Sequence, residues 1–273
     1  MSLKVLGLIS GMGELPKAIA LDAKAKGYTV VAIALTPISN VPLAGYVDVL
    51  KEVNVGRLGE IIRTLKKHNV TQAVMAGKVP KSLLYLSRIR PDLRAAKLLF
   101  SLKDRKDDSI LIAVARELEK DGIRLLSITD FCASLMTPEG ILTKKHPTEK
   151  EWNDIRFGFD IAKEIGRLDI GQTVVVKDRA VMAVEAIEGT DEAIRRGGKL
   201  AGKGAVVVKV SKPYQDMRFD VPTVGINTLE VMIGVKASVL AVEAGKSILL
   251  EREDFLKSAN KAGIAVVGYK GKE

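Results

Sequence analysis

The sequence predicts an α/β fold in two parts, a parallel-sheet domain at the N-terminus followed by a mixed α/β domain. Three observations carry that expectation. Short apolar runs alternate with amphipathic stretches through the first half, the order that places parallel strands beneath crossover helices. Prolines and glycines interrupt the chain near residue 140, as they do at domain boundaries. With 273 residues, 47% hydrophobic and 28% charged, the chain can bury substantial cores and is too apolar for disorder.

The elements follow in order. "KVLGLIS" reads as a buried strand and "GMGEL" as a turn. "PKAIALDAKAKG" reads as a helix with Pro16 at its start and Gly27 as C-cap. "YTVVAIAL" is the second strand. "RLGEIIRTLKKHN" is an amphipathic helix with Leu58, Ile61, Ile62 and Leu65 on one face, and "VTQAVMAG" is the third main strand. "DDSILIAVARELEKDG" is a helix leading into "IRLLSI". This order gives a Rossmann-like domain over residues 1–134. Its first turn carries Gly11-Met12-Gly13, but Pro16 stands where the third glycine of a dinucleotide fingerprint belongs, and no acid follows the second strand. Nicotinamide chemistry is therefore not expected. The turn can still aim backbone N–H groups at a phosphate.

Residues 135–150 read as a linker punctuated by Pro138, Gly140 and Pro147, where Thr148 followed by Glu151 signals a capping box. The C-terminal domain, 151–273, opens with a long helix ending in a glycine corner. "TVVVKD" and "RAVMAVEA" form a hairpin around Lys177-Asp178-Arg179, and Thr190 reads as the N-cap of the next helix. The strand "AVVVKV" leads into the loop "SKPYQDMRFDVPTVG". A helix is expected through "NTLEVMIGVKASVLAVEAG", then the strand "SILLE", the helix "REDFLKSANKAG" and the strand "IAVVGY".

The net charge of +10 is concentrated. Residues 78–106 hold nine basic residues against Asp92 and Asp104, and residues 195–212 hold six with no acid. Such fields attract phosphates, nucleic acid or anionic lipid. Aromatics are 4% of the chain and do not interleave with the basic residues, so no base-stacking platform is visible and nucleic acid is not an expected partner. In "SLLYLSRIRPDLRAAKLLFSLK" leucines mix with Arg and Lys, which suits either a helix on an anionic membrane surface or an ordinary core-facing helix. No apolar run approaches the ~20 residues that span a bilayer. With no export signal and Cys132 as the sole cysteine, disulfides are excluded and a cytoplasmic location is expected. Cys132 reads as a small buried residue, and His68 and His146 as incidental.

Several acids stand near turns: Glu185 at a strand end, Asp107, Asp108 and Asp191 at helix starts, and Asp220 in the loop. Helix starts favour Asp through the macrodipole. Asp220 differs, because Phe219, Val221 and Pro222 around it imply partial burial. A partly buried carboxylate needs a cationic partner, either Arg or Lys or a metal. Oxygen ligands without His or Cys clusters suit Mg²⁺ or Mn²⁺.

"GLISGMGELP", "EIGRLDIGQTVVV", "AVEAIEGTDEAIRR" and "KPYQDMRFDVPTVG" together resemble the LpxI family of UDP-2,3-diacylglucosamine pyrophosphatases along nearly the whole chain. The resemblance implies hydrolysis of a UDP-linked diacylated glucosamine to UMP and a sugar 1-phosphate in lipid A biosynthesis. It implies a Rossmann-like domain and a second domain with lipid held between them, a divalent cation, and an essential aspartate at Asp220, as catalytic residue and metal ligand. Substrate contacts are then expected at Gly11, Gly13, Glu14, Lys78, Val79, Gln172, Thr190, Asp191, Lys209 and Lys212, with Arg195 and Arg218 as further phosphate contacts. The implied location is cytoplasmic, peripheral on the anionic surface of the inner membrane, with a homodimer left open. Two other classes remain: a non-catalytic binder of nucleotide-sugar or lipid, and an RNA-binding protein using the positive charge. Metal-dependent release of UMP separates the first from an enzyme, and sequence-independent polyanion binding marks the second.

Overall fold

The computed structural model describes residues 4–40, 42–79, 90–102, 107–219 and 221–271. The chain forms two compact units, Met1–Ala133 with Asp216–Asp220, and Ser134–Gln215 with Val221–Glu273.

In the first unit β1 (Val5–Ser10), β2 (Thr29–Thr36), β3 (Val49–Asn54), β4 (Gln72–Ala76) and β5 (Arg124–Leu125) form a parallel sheet in the order β3-β2-β1-β4-β5. The helices are α1 (Leu15–Ala25), α2 (Leu58–Lys67), α3 (Leu93–Ser101) and α4 (Asp107–Lys120). Strands β1, β2 and β4 are buried almost throughout, as parallel strands covered on both faces must be. Leu58, Ile61, Ile62 and Leu65 form the buried face of α2, as their spacing predicts. One strand escaped the pattern. In β3 the exposed pair Lys51 and Glu52 interrupts the apolar run, which an edge strand tolerates. The order reverses at β1: β2 and β3 lie to one side, β4 and β5 to the other.

The second unit is built on a six-stranded sheet in the order β6-β13-β11-β9-β7-β8. Its strands are β6 (Gly140–Ile141), β7 (Thr173–Lys177), β8 (Ala180–Val184), β9 (Val206–Lys209), β11 (Val239–Glu243) and β13 (Ala265–Tyr269). Strands β9, β11 and β13 are parallel, while β6, β7 and β8 run antiparallel to their neighbours β13, β9 and β7. A short pair, β10 (Thr223–Val224) and β12 (Ile248–Leu249), stands apart from this sheet. Helix α5 (Glu149–Arg167) covers one face, with Ile155, Phe159 and Ala162 against Val174, Val176 and Val208. Helices α6 (Thr190–Ala201), α7 (Ile226–Gly234) and α8 (Arg252–Ala262) cover the other, with Ile194, Leu229 and Phe255 against Val175, Val207 and Leu240. Successive valines of β7 thus feed opposite cores, the period-two logic of a strand.

Three local readings are revised here. The expected helix after Asn227 stops at Gly234, and Val239–Glu243 is a central strand. All five of its residues are buried, so it shows no alternation to separate it from a helix. Gly140–Ile141, within the stretch read as linker, pairs with β13 as an edge strand. Gly189, with φ 88°, caps α6, and Thr190 is the first helical residue. The Thr148 capping box forms as expected, Glu151 Oε2 accepting from the Thr148 N–H at 2.7 Å. At the hairpin tip Asp178 and Arg179 take φ 50° and 57°. Their N–H groups donate to the buried Asp154 carboxylate at 3.0 and 2.6 Å, which holds this left-handed turn. Among the described residues no helix is long and apolar enough to cross a membrane.

Helix α6 reaches the sheet because Gly197 has no side chain; a Cβ there would lie 2.6 Å from Val175 Cβ. Alanine inside a helix is ordinarily favoured over glycine by about 1 kcal/mol. Gly197→Ala is nonetheless expected to destabilise the second unit by about 1–3 kcal/mol through overpacking. Urea unfolding checks the sign, and a stabilised variant would overturn this account of α6 packing.

Candidate functional site

In an open parallel sheet, ligands sit at the carboxyl ends of the strands where the order reverses. In the first unit that place lies between β1 and β4, and five expected residues gather there. Met12 and Lys78 exchange two backbone hydrogen bonds, each 3.0 Å. Gly11 is dictated by this contact, since a Cβ would stand 2.7 Å from the Lys78 carbonyl oxygen. The Gly13 N–H donates to Asn40 Oδ1 at 3.0 Å, so that amide is already engaged. Glu14 precedes α1 and its side chain caps nothing, while Val79 is exposed. The turn therefore shapes a crevice edge with glycine but does not offer Gly13 as a phosphate-cradling amide.

In the second unit β7 runs against both β8 and β9, so the start of β7, the end of β8 and the end of β9 meet at one end of the sheet. Lys209 closes β9 and is only 6% exposed. Its ammonium donates to Thr190 Oγ1 and to the Thr223 carbonyl, both at 3.0 Å. Thr190 Oγ1 donates to Glu185 Oε1 at 2.9 Å, and the Gln172 N–H donates to Glu185 Oε2 at 3.4 Å. Gln172 Oε1 is buried with no hydrogen-bond partner among the described residues. The N-terminus of α6 opens here, and its uncapped N–H groups add partial positive charge. Asp191, one residue on, accepts from Thr228 Oγ1 at 2.8 Å and so ties α6 to α7. A buried cation, a hydroxyl and a helix N-terminus at one end of the sheet compose a receptor for an anion such as a phosphate.

The other cations expected to meet phosphate are already engaged. Lys212 pairs with Asp169 at 2.6 Å, and Arg195 pairs with Glu192 on the exposed side of α6. Arg218 grips Asp216 through two nitrogens, at 3.1 and 2.7 Å. That bond holds the Asp216 carboxyl below its ordinary range, against an opposing effect of burial. Lys209 alone of the four has no carboxylate within ion-pair reach among the described residues.

The loop after β9 is anchored at both described ends. Glu243 Oε2, at the end of β11, accepts from the Ser211 N–H at 2.8 Å and from Lys163 at 2.5 Å, while Lys163 also donates to the Ser211 carbonyl at 2.8 Å. Further along, Phe219 is buried in the core of the first unit with Ile9 and Ile33, and Ser127 Oγ donates to the Met217 carbonyl at 3.1 Å. Asp220 itself lies outside the described residues, between Phe219 and Val221, both buried. Among the described residues no three Asp, Glu, His or Cys side chains converge as a cation site. The described donors therefore do not by themselves compose a divalent-metal centre. Cys132 is fully buried, and burial pushes its thiol up to about 12, which rules it out as a nucleophile at neutral pH.

Sequence patterns alone missed Glu185 as a partner of Thr190, and missed Glu243 and Lys163 altogether. The only signal for Glu185 was an acid closing an apolar strand. Much of the first basic stretch, residues 80–89 and 103–106, lies outside the described residues. Within the rest, Arg94 is paired with Glu117 at 2.7 Å and Asp121 at 2.6 Å, so it serves the fold.

Comparison with known proteins covers both units. The LpxI N-terminal domain family matches residues 5–135 and the LpxI C-terminal domain family matches residues 138–267. The chain is also 32% identical to the UDP-2,3-diacylglucosamine pyrophosphatase LpxI of Caulobacter vibrioides, over an alignment covering 99% of each protein. Two family domains in order and an alignment running nearly end to end establish that this chain belongs to the LpxI family.

Proposed function

We propose that this chain hydrolyses the pyrophosphate of UDP-2,3-diacylglucosamine, giving UMP and 2,3-diacylglucosamine 1-phosphate for lipid A biosynthesis. The observation that carries the reading is the identity to the C. vibrioides pyrophosphatase across 99% of both chains. In the reaction a water oxygen bonds to one phosphorus, the bond from that phosphorus to the bridging oxygen breaks, and the bridging oxygen leaves on the other phosphate. Negative charge gathers on that leaving oxygen, so the protein must present positive groups fixed in advance. The buried Lys209, beside Thr190, Gln172 and the α6 N-terminus, supports phosphate binding that bound substrate and transition state share. Asp191 and Lys212 hold the surrounding elements in place. Gly11, Gly13, Glu14, Lys78 and Val79 are assigned to further substrate contacts at the edge of the first sheet.

Asp220 is assigned the catalytic role, by its place in the "RFDVPTVG" motif. Asp220→Ala is expected to fold normally and to lose hydrolysis by about a thousandfold or more. UMP release measures this, and near-normal turnover would remove Asp220 from the mechanism. A divalent cation, Mg²⁺ or Mn²⁺, is part of the same reading and rests on Asp220 and the family resemblance. EDTA should abolish turnover and either ion should restore it, whereas an unchanged rate in EDTA would exclude the cation.

A diacylated substrate also places the enzyme at the cytoplasmic face of an anionic inner membrane. Leu93 and Phe100, 93% and 89% exposed, flank the exposed Lys97 on one stripe of α3, the spacing of a helix face that can settle into lipid. Leu93→Ser with Phe100→Ser should reduce flotation with phosphatidylglycerol vesicles about tenfold. Equal flotation would overturn this surface, as would a solution dimer that the same substitutions dissociate.

A further inference from the structure

We propose that Glu185 is a positioning residue for Lys209, acting through the Thr190 hydroxyl; the inference rests on the reading of Lys209 as a phosphate-binding group. A hydroxyl carries one proton. Thr190 gives it to Glu185 Oε1 at 2.9 Å, so the lone pairs of Thr190 are turned to the Lys209 ammonium at 3.0 Å. Without the carboxylate, the proton could point at the ammonium and repel it. Thr173 Oγ1, 3.5 Å from Thr190 Oγ1, can then only donate to it. Two of the three Lys209 protons go to Thr190 and the Thr223 carbonyl, and the third meets no acceptor among the described residues, which leaves it to a ligand.

Glu185 is itself held firmly. Its N–H donates to the Thr173 carbonyl at 2.8 Å and its second carboxylate oxygen accepts from the Gln172 N–H. Gly171 lies so close that a Cβ would stand 2.1 Å from the Glu185 carbonyl oxygen, which explains a glycine there. Glu185 is 9% exposed and Lys209 6% exposed, yet no direct ion pair joins them. With the hydroxyl interposed, the carboxylate offsets the buried charge without covering the ammonium. A direct pair would satisfy Lys209 and close it to substrate.

Glu185→Gln removes the charge and sets an amide NH₂ against one of two donors, the Thr190 hydroxyl or the Gln172 N–H. With UDP-2,3-diacylglucosamine as substrate, the variant should lower kcat/KM about tenfold, mainly through KM, with kcat within about threefold. In a Lys209→Met background the same change should have no further effect, because a residue acting through Lys209 has nothing left to position. Unchanged kcat/KM in the single variant, or losses that multiply in the double variant, would overturn the proposal. Should Glu185→Gln fail to fold, Thr190→Val and Thr190→Ser replace it. Serine should retain activity, valine should lose it, and the valine loss should vanish beside Lys209→Met; any other pattern counts against the proposal. A wild-type chain without turnover would instead remove the functional reading itself, and this inference with it.

Discussion

Lys209 carries a charge that an apolar interior would reject, and the residues at the strand ends are placed to supply the oxygens it needs. An isolated ammonium out of water costs several kcal/mol even after relaxation. Here a carbonyl from the segment after the loop, a hydroxyl from the first turn of α6 and, beyond that hydroxyl, a carboxylate from the end of β8 share the task. Because these groups come from separate elements, the charge fixes those elements relative to one another within the second unit. The antiparallel β7–β8 hairpin matters for the same reason: turning back against β9, it brings Gln172 and Glu185 to the end of the sheet where β9 finishes.

The two clusters at this end of the sheet differ in what they leave open. Glu243 is saturated, accepting from Ser211 N–H, Lys163 and Lys246, and such a fully paired carboxylate favours a single arrangement of the chain leaving β9. Lys209 is satisfied only in part by the described residues. A saturated cluster beside an incompletely satisfied one separates the work of holding a loop from the work of holding a ligand.

Periodic and punctuated features could be read in the sequence. The apolar face of α2, the Thr148 capping box and the Asp178-Arg179 hairpin depend on neighbours in sequence, and local chemistry settles them. Strands β3 and β11 were missed for opposite reasons: Lys51 and Glu52 dilute an edge strand, whereas Val239 to Glu243 are so uniformly buried that no period remains. At the site, the motifs singled out Thr190 and Lys209, but not their connection. The bond from Thr190 to Glu185 spans a turn, and that from Lys209 to Thr190 needs α6 folded back onto the sheet, which only Gly197 permits at this closeness. The ion pairs of Arg218 and Lys212 were not legible either, because their carboxylates, Asp216 and Asp169, become partners only once the loop is folded.

Phe219 has a bearing on how the chain is made as well as on what it does. Its ring fills the core of the first unit beside residues of β1 and β2, although the chain between Ile33 and Phe219, and the longer stretch from Ile9, must be synthesised before they can meet. A ribosome that has released only the first half of this chain has released a sheet whose core is still missing a phenylalanine. Long-range closure of this kind slows folding and prolongs the exposure of apolar surface. The first unit to be translated therefore stays unfinished until much of the second has been synthesised.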